Sequence, residues 1–394
     1  MTNHRLKVIA LCHDPLPSSS TYSQQLVWTM TELARLGHQV EVFGRNSGKT
    51  GRALREWISD YYGLKSLPES INFVSVGRVA KNSTVSFGLT DLRNVVRARR
   101  EKGIIITRDV FALALALFAG MPCVFETYKL NINKDPRFAP WRAFCYSRKH
   151  LLGVVTHSEL CRRSFIEAGL PGNRVQTIYN GFSPAHFAPE LSRENARAQL
   201  NLNGAKHIVT YAGHVDLTKG VEVLLGMAVQ LQEVKFLLLG ANPGSVSEKR
   251  VLQRVQEMGA ENVYLLPRVP QSQVPGYLFA SDCLIIPPSA APLRKHHNTV
   301  LPMKTFSYLA AGRPIIAPDL ADLREMLRPN QNAVLVPPDD VDAAAAAVRQ
   351  TLLNDAFVER LETAARRDAS QYTWDKRAER LSAFLDNVAR FAPR

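Results

Sequence analysis

The chain has 394 residues, 46% hydrophobic and 21% charged, a length that suits two domains and a composition that excludes disorder. Five scattered cysteines (Cys12, Cys123, Cys145, Cys161 and Cys283), never spaced C-x-x-C, exclude a disulfide framework and a zinc module and fit a reducing cytoplasm. The net charge of +14 is uneven: residues 1–185 hold 25 Lys and Arg against 13 Asp and Glu, whereas residues 186–394 hold 24 against 22. The first half therefore either attracts an anionic partner or presents a solvated basic face.

In chain order, residues 1–5 lead directly into a strand-like apolar run at 6–11, which leaves no room for a signal peptide. A helix at 25–36, apolar at Leu26, Met30 and Leu33, precedes a strand at 40–43. Strands at 103–106, 123–125, 153–155 and 175–178 continue the series. The apolar stretch 110–118 is about half of the ~20 residues a membrane span needs and is expected to be a buried helix. Turn-forming residues at 179–184 place a boundary after residue 185. The pattern then restarts with strands at 208–213, 235–240, 262–266, 283–287 and 314–317 and a helix at 220–231, and an amphipathic helix closes the chain from 374 to about 391.

Apolar strands alternating with helices predict an α/β protein of two Rossmann-like, doubly wound domains. The predicted domains are 1–185 and 186–373, with 374–394 a terminal helix packing back towards the first. Ligands of such sheets lie beyond the carboxyl ends of the strands, so the loops after Ala212, Leu239, Pro267 and Ile286 form the candidate site, with Arg268 in the third of them.

The loop from Gly213 to Gly220 joins a strand to a helix. Gly213 and Gly220 permit close backbone approach, the helix start offers free N–H groups, and Lys219 adds a cation, all suited to phosphate. The loop has neither the P-loop order nor the dinucleotide glycine fingerprint.

The most informative block is Pro302-Met303-Lys304-Thr305-Phe306-Ser307-Tyr308-Leu309-Ala310-Ala311-Gly312-Arg313-Pro314, followed by the apolar Ile315-Ile316-Ala317. It resembles the donor-domain helix of retaining GT-B glycosyltransferases of the glycogen-synthase and lipopolysaccharide-mannosyltransferase type. Residues 33–42, 155–158, 178–182 and 280–289 resemble further segments of that family in order and spacing. The resemblance implies two domains facing across a cleft, with the acceptor on the first and the nucleotide sugar on the second. It also implies front-face displacement with retention of configuration and no metal cofactor.

By position, Lys219 would contact the diphosphate, with His214 where the family usually has an arginine. Gly213, Arg268, Thr299, Lys304 and Ser307 would line the donor. Thr299 and Ser307 stand, eight positions apart, where the family usually has two glutamates, and Tyr128 stands where it usually has an acceptor-side histidine. Ser18, Ser19, Ser20 and Thr21 replace a glycine-rich first loop; their hydroxyls either meet phosphate or sugar, or cap a helix. The catalytic candidates are thus Lys219, His214 and Tyr128. His296 and His297 are adjacent and lack the carboxylates or cysteines of a metal site.

The implied partners are a UDP-, GDP- or dTDP-sugar and a glycan, lipid-linked or small-molecule acceptor, with no nucleic acid. Arg93, Arg97, Arg99, Arg100 and Lys102, with Arg137, Arg142, Arg148 and Lys149 interleaved among aromatics, suit either an anionic membrane surface or a solvated face. The expected location is cytoplasmic, peripheral at the inner face of the membrane if that surface binds. An inactive partner subunit and a sugar-nucleotide epimerase of the same fold are the alternatives.

Overall fold

The computed structural model describes residues 5–45, 48–76, 84–101, 103–130, 139–291 and 301–390. The chain divides into two compact units, Met1–Asn180 with Trp374–Arg394, and Gly181–Thr373.

The first unit is built on seven strands: β1 (Lys7–Pro15), β2 (Gln39–Arg45), β3 (Ile71–Val76), β4 (Ile104–Thr107), β5 (Cys123–Thr127), β6 (Leu151–Thr156) and β7 (Val175–Thr177). They form one parallel sheet in the order β3-β2-β1-β4-β5-β6-β7. Val8, Ile9 and Ala10 on β1 are fully buried, as expected of a strand covered on both faces. Strand β3 was not picked out from the sequence. Its alternation, Ile71 and Phe73 buried with Asn72 exposed, is the half-buried pattern of an edge strand and lacks a continuous apolar run.

The Val110–Phe118 helix is buried only along one face. Ala112, Leu113, Ala116 and Leu117 enter the core, whereas Phe111 and Phe118 are exposed, Phe118 by 82%. No helix among the described residues is long and apolar enough to cross a membrane. Phe144 and Tyr146 pack on the core of this unit, with Arg148 over the Phe144 ring at 4.2 Å.

The terminal helix, Trp374–Ala389, packs on the Thr21–Arg35 helix of the same unit. Its docking is specific: His38 Nε2 meets Ser382 Oγ at 2.7 Å, and Phe384 fills the space that Gly153 leaves on β6. A side chain at 153 would lie 2.6 Å from Phe384 Cζ.

The second unit holds β8 (His207–Ala212), β9 (Val234–Ala241), β10 (Val263–Pro267), β11 (Cys283–Ile285), β12 (Ile315–Pro318) and β13 (Val334–Val336), parallel in the order β10-β9-β8-β11-β12-β13. In both units the order reverses beside the first strand, between β1 and β4 and between β8 and β11. That switch point is where doubly wound sheets open a crevice for ligands at the strand carboxyl ends. Leu224, Leu225, Phe236, Leu238, Ala344 and Val348 are among the residues filling the core on one face of this sheet.

Candidate functional site

In the second unit the crevice opens after Ala212, where Gly213 leaves β8. Gly240, at the end of β9, adopts φ +121°, and a side chain there would run into the Gly213 carbonyl oxygen. Two bare backbones thus lie against each other at the mouth of the sheet. The loop continues through exposed His214, whose carbonyl accepts from Tyr211 Oη at 2.9 Å, to Asp216, which caps the 3-10 turn Leu217–Lys219 through Thr218 N at 2.8 Å. Burial raises the Asp216 pKa, yet donation from Ser247 and Thr218 brings it down to about 2, so the cap is charged at neutral pH. Gly220, at φ +80°, passes 2.5 Å from Ser289 Cβ as a side chain would be placed, which seats the loop after β11 against the start of the Val221–Gln230 helix. Asp339 holds that second loop, accepting from Ser289 Oγ at 2.7 Å and Ala290 N at 3.2 Å.

Lys304 opens the Lys304–Ala311 helix and reaches back under this loop. Its Nζ stands 4.3 Å over the Tyr211 ring and 2.9 Å from the position a Gly213 side chain would take. Burial, and then the charge of Lys219, push the Lys304 amine down to about 7. Neither lysine forms an ion pair with a carboxylate among the described residues. Tyr308, one turn on, is fully buried and accepts from Ala212 N at 2.7 Å, fixing the helix to the end of β8.

The structure therefore brings Gly213, His214, Lys219 and Lys304 together. Ser307 lies in the same helical turn, but its hydroxyl is spent on the Lys304 carbonyl at 3.0 Å. Arg268 is exposed just past β10, two strands from β8, its backbone N–H donating to Ala241 O at 3.1 Å. Thr299, His296 and His297 lie outside the described residues. Among the described residues, no three His, Cys, Asp or Glu side chains gather as a metal site would require.

In the first unit, Ser20 caps the Thr21–Arg35 helix by accepting from Ser23 N at 3.0 Å. The Ser23 hydroxyl bonds those of Ser18 and Ser20, and Asp14 accepts from Ser20 and Ser23. Ser19 and Thr21 are exposed beside them. Tyr128 follows β5, its ring 6.4 Å from that of His157.

Beneath Tyr128 lies a polar cluster that sequence reasoning missed. Glu126 on β5 is buried, and its Oε1 accepts from Gln25 Nε2 at 2.9 Å, His157 Nε2 at 2.8 Å, Arg108 Nη2 at 3.3 Å and Arg377 Nη2. Arg377, from the terminal helix, is itself fully buried and also donates to Thr29 Oγ1, Ile178 O and Tyr179 O. Burial opposes the charge on Glu126, but Arg108 and Arg377 hold its carboxyl well below the ordinary range. Burial and Arg108 push His157 down to about 3, so it is neutral. The only local signal was a polar residue inside an apolar strand.

Residues 192–368 match the family described as Glycosyl transferases group 1, and residues 25–186 match Glycosyltransferase Family 4, so the two matches account for most of both units. The chain pairs a family 4 glycosyltransferase domain with a group 1 glycosyltransferase domain. A D-inositol 3-phosphate glycosyltransferase of Mycolicibacterium gilvum is 24% identical to this glycosyltransferase over 375 residues, 89% of this chain and 82% of that one. Other relatives of that description match over about half of their own length. Among solved structures, sucrose-phosphate synthase from Thermosynechococcus elongatus superposes with a TM-score of 0.77 at 18% identity, covering 98% of this chain and 99% of that one. Anabaena HepE in complex with UDP-glucose gives 0.74 at 16%, covering 97% and 100%. The fold of this glycosyltransferase is GT-B, two parallel α/β sheets with helices.

Proposed function

We propose that this glycosyltransferase moves a sugar from a nucleotide-sugar donor to an acceptor with retention of configuration and without a metal. The observation that carries the reading is the pairing of the cationic donors Lys219 and Lys304 beside the bare backbone of Gly213 and Gly240, a crevice suited to a diphosphate leaving group. Such donors stabilise charge that develops as the bond to the sugar breaks, which is the main catalytic term when the reaction needs little proton transfer. His214, exposed at the same mouth, is placed to add a hydrogen bond.

The donor would be a UDP-sugar in the first instance, since a structure of the same fold holds UDP-glucose. With the Ser307 hydroxyl turned to its own helix, nothing at that position grips ribose, so a dTDP-sugar, which has deoxyribose, stays within reach beside UDP- and GDP-sugars. The acceptor site would be the carboxyl end of the first sheet, around Tyr128. Its setting would be the cytoplasm, with the basic first unit available to an anionic surface. Lys219→Ala should cut turnover about a hundredfold while leaving the fold intact. Turnover of wild-type size would remove Lys219 from the site, and failure of UDP, GDP and dTDP alike to raise the melting temperature would favour an inactive partner subunit.

A further inference from the structure

Two guanidinium groups share one carboxylate in the first unit, which leaves one positive charge unmatched. Arg377 is not the surplus cation, because each of its three nitrogens has a partner. Arg108, the first residue past β4, is differently placed. Its side chain is only 10% exposed, its Nε is buried with no hydrogen-bond partner, and its Nη2 reaches Glu126 Oε1 at a long 3.3 Å. Gln25 Oε1, at 2.5 Å, is neutral.

The 2.9 Å approach of Arg108 Nη2 to His157 Nε2 adds nothing. With Asn180 Nδ2 donating to His157 Nδ1 at 3.3 Å, the ring proton sits on Nε2 and points at Glu126, so two donors face each other. The nearby carboxylates are otherwise engaged: Asp109 pairs with His13 at 3.4 Å and caps Ala112, and Asp14 accepts from two serines. The guanidinium is held in place by aromatic faces, 4.5 Å over the Tyr22 ring and 5.9 Å from that of Tyr128. An enclosed cation with spare donors, oriented by stacking and lying at the switch point of a doubly wound sheet, is built to receive an anion.

We propose that Arg108 anchors a phosphate ester on the acceptor, bound at the carboxyl ends of β1, β4 and β5 in the first unit. This rests on the glycosyltransferase reading for the word acceptor, though not for the anion site itself. The phosphate is carried either by a small soluble sugar or by a lipid. The enclosure of Arg108 requires a slender ligand that enters the sheet end, not a flat array of headgroups.

The test is calorimetric titration of the full chain with glucose 6-phosphate and with glucose, each with UDP saturating the second unit. Phosphatidylcholine vesicles doped with phosphatidic acid form a third arm. The expected result is binding of the phosphate ester at least about tenfold tighter than of glucose. Arg108→Gln should abolish that difference and Arg108→Lys should keep part of it, with UDP affinity unchanged in both. Vesicle binding lost in Arg108→Gln, with no response to glucose 6-phosphate, would assign the phosphate to a lipid. Equal affinity for the two sugars together with Arg108-independent vesicle binding, or full phosphate selectivity in Arg108→Gln, would overturn the proposal. Should the glutamine variant not fold, Arg108→Lys carries the test, with unchanged selectivity and unchanged affinity counting against it. Failure of UDP to bind, with phosphate selectivity intact, would sink the glycosyltransferase reading and leave the anion site standing.

Discussion

Lys304 is poised near half protonation at neutral pH, since its amine is pushed down to about 7 by burial and then by Lys219. A bound diphosphate supplies the opposite charge, raises the pKa again and makes binding take up a proton. The sign follows: nucleotide affinity is highest where Lys304 is already protonated and falls as pH rises through about 7, by up to about tenfold per unit. UDP titration from about pH 6 to about pH 9 measures this, and Lys304→Arg should flatten the profile because arginine stays charged throughout. A flat wild-type profile would show that Lys304 does not face the phosphates. The sequence already singled out Lys219, through the glycines and helix start around it, and Lys304, through the resemblance of the block from Pro302 to Ala317. Arg108, Glu126, His157 and Arg377 escaped it because their meeting depends on four distant segments, and no periodicity announces a buried ion cluster.

At the level of elements, the contact between the ends of β8 and β9 is made possible by Gly240 alone, with its φ of +121° and the Gly213 carbonyl against it. Gly240→Ala should cost about 2 kcal/mol or more, through backbone strain and displacement of the strand end. Urea unfolding would show it, and a midpoint equal to wild type would mean the two loops move apart freely. Long apolar strands such as β1 and β9 were legible because burial on both faces leaves a continuous hydrophobic run. Strand β13 was not, since Val334–Val336 spans three residues and is set by pairing with β12, a tertiary fact. The one-sided burial of the Val110–Phe118 helix was equally hidden, because its exposed face is as apolar as its buried one.

For the whole molecule, the terminal helix is the piece that completes the first unit. Arg377→Met would strand the Glu126 carboxylate among fewer donors and should destabilise by about 3–5 kcal/mol in urea. The double variant Arg377→Met, Glu126→Gln should recover part of that loss, and no recovery would mean that Arg377 acts through its bonds to Thr29, Ile178 and Tyr179 instead. The same arrangement has a consequence for the order of events on the ribosome. Residues up to Asn180 emerge first, yet the bed of the terminal helix, the groove over Gly153 and the space beside Glu126, stays vacant until Gly181–Thr373 has also been made. The second unit is contiguous in the chain and is free to fold as it appears. The unit translated first is therefore the one finished last.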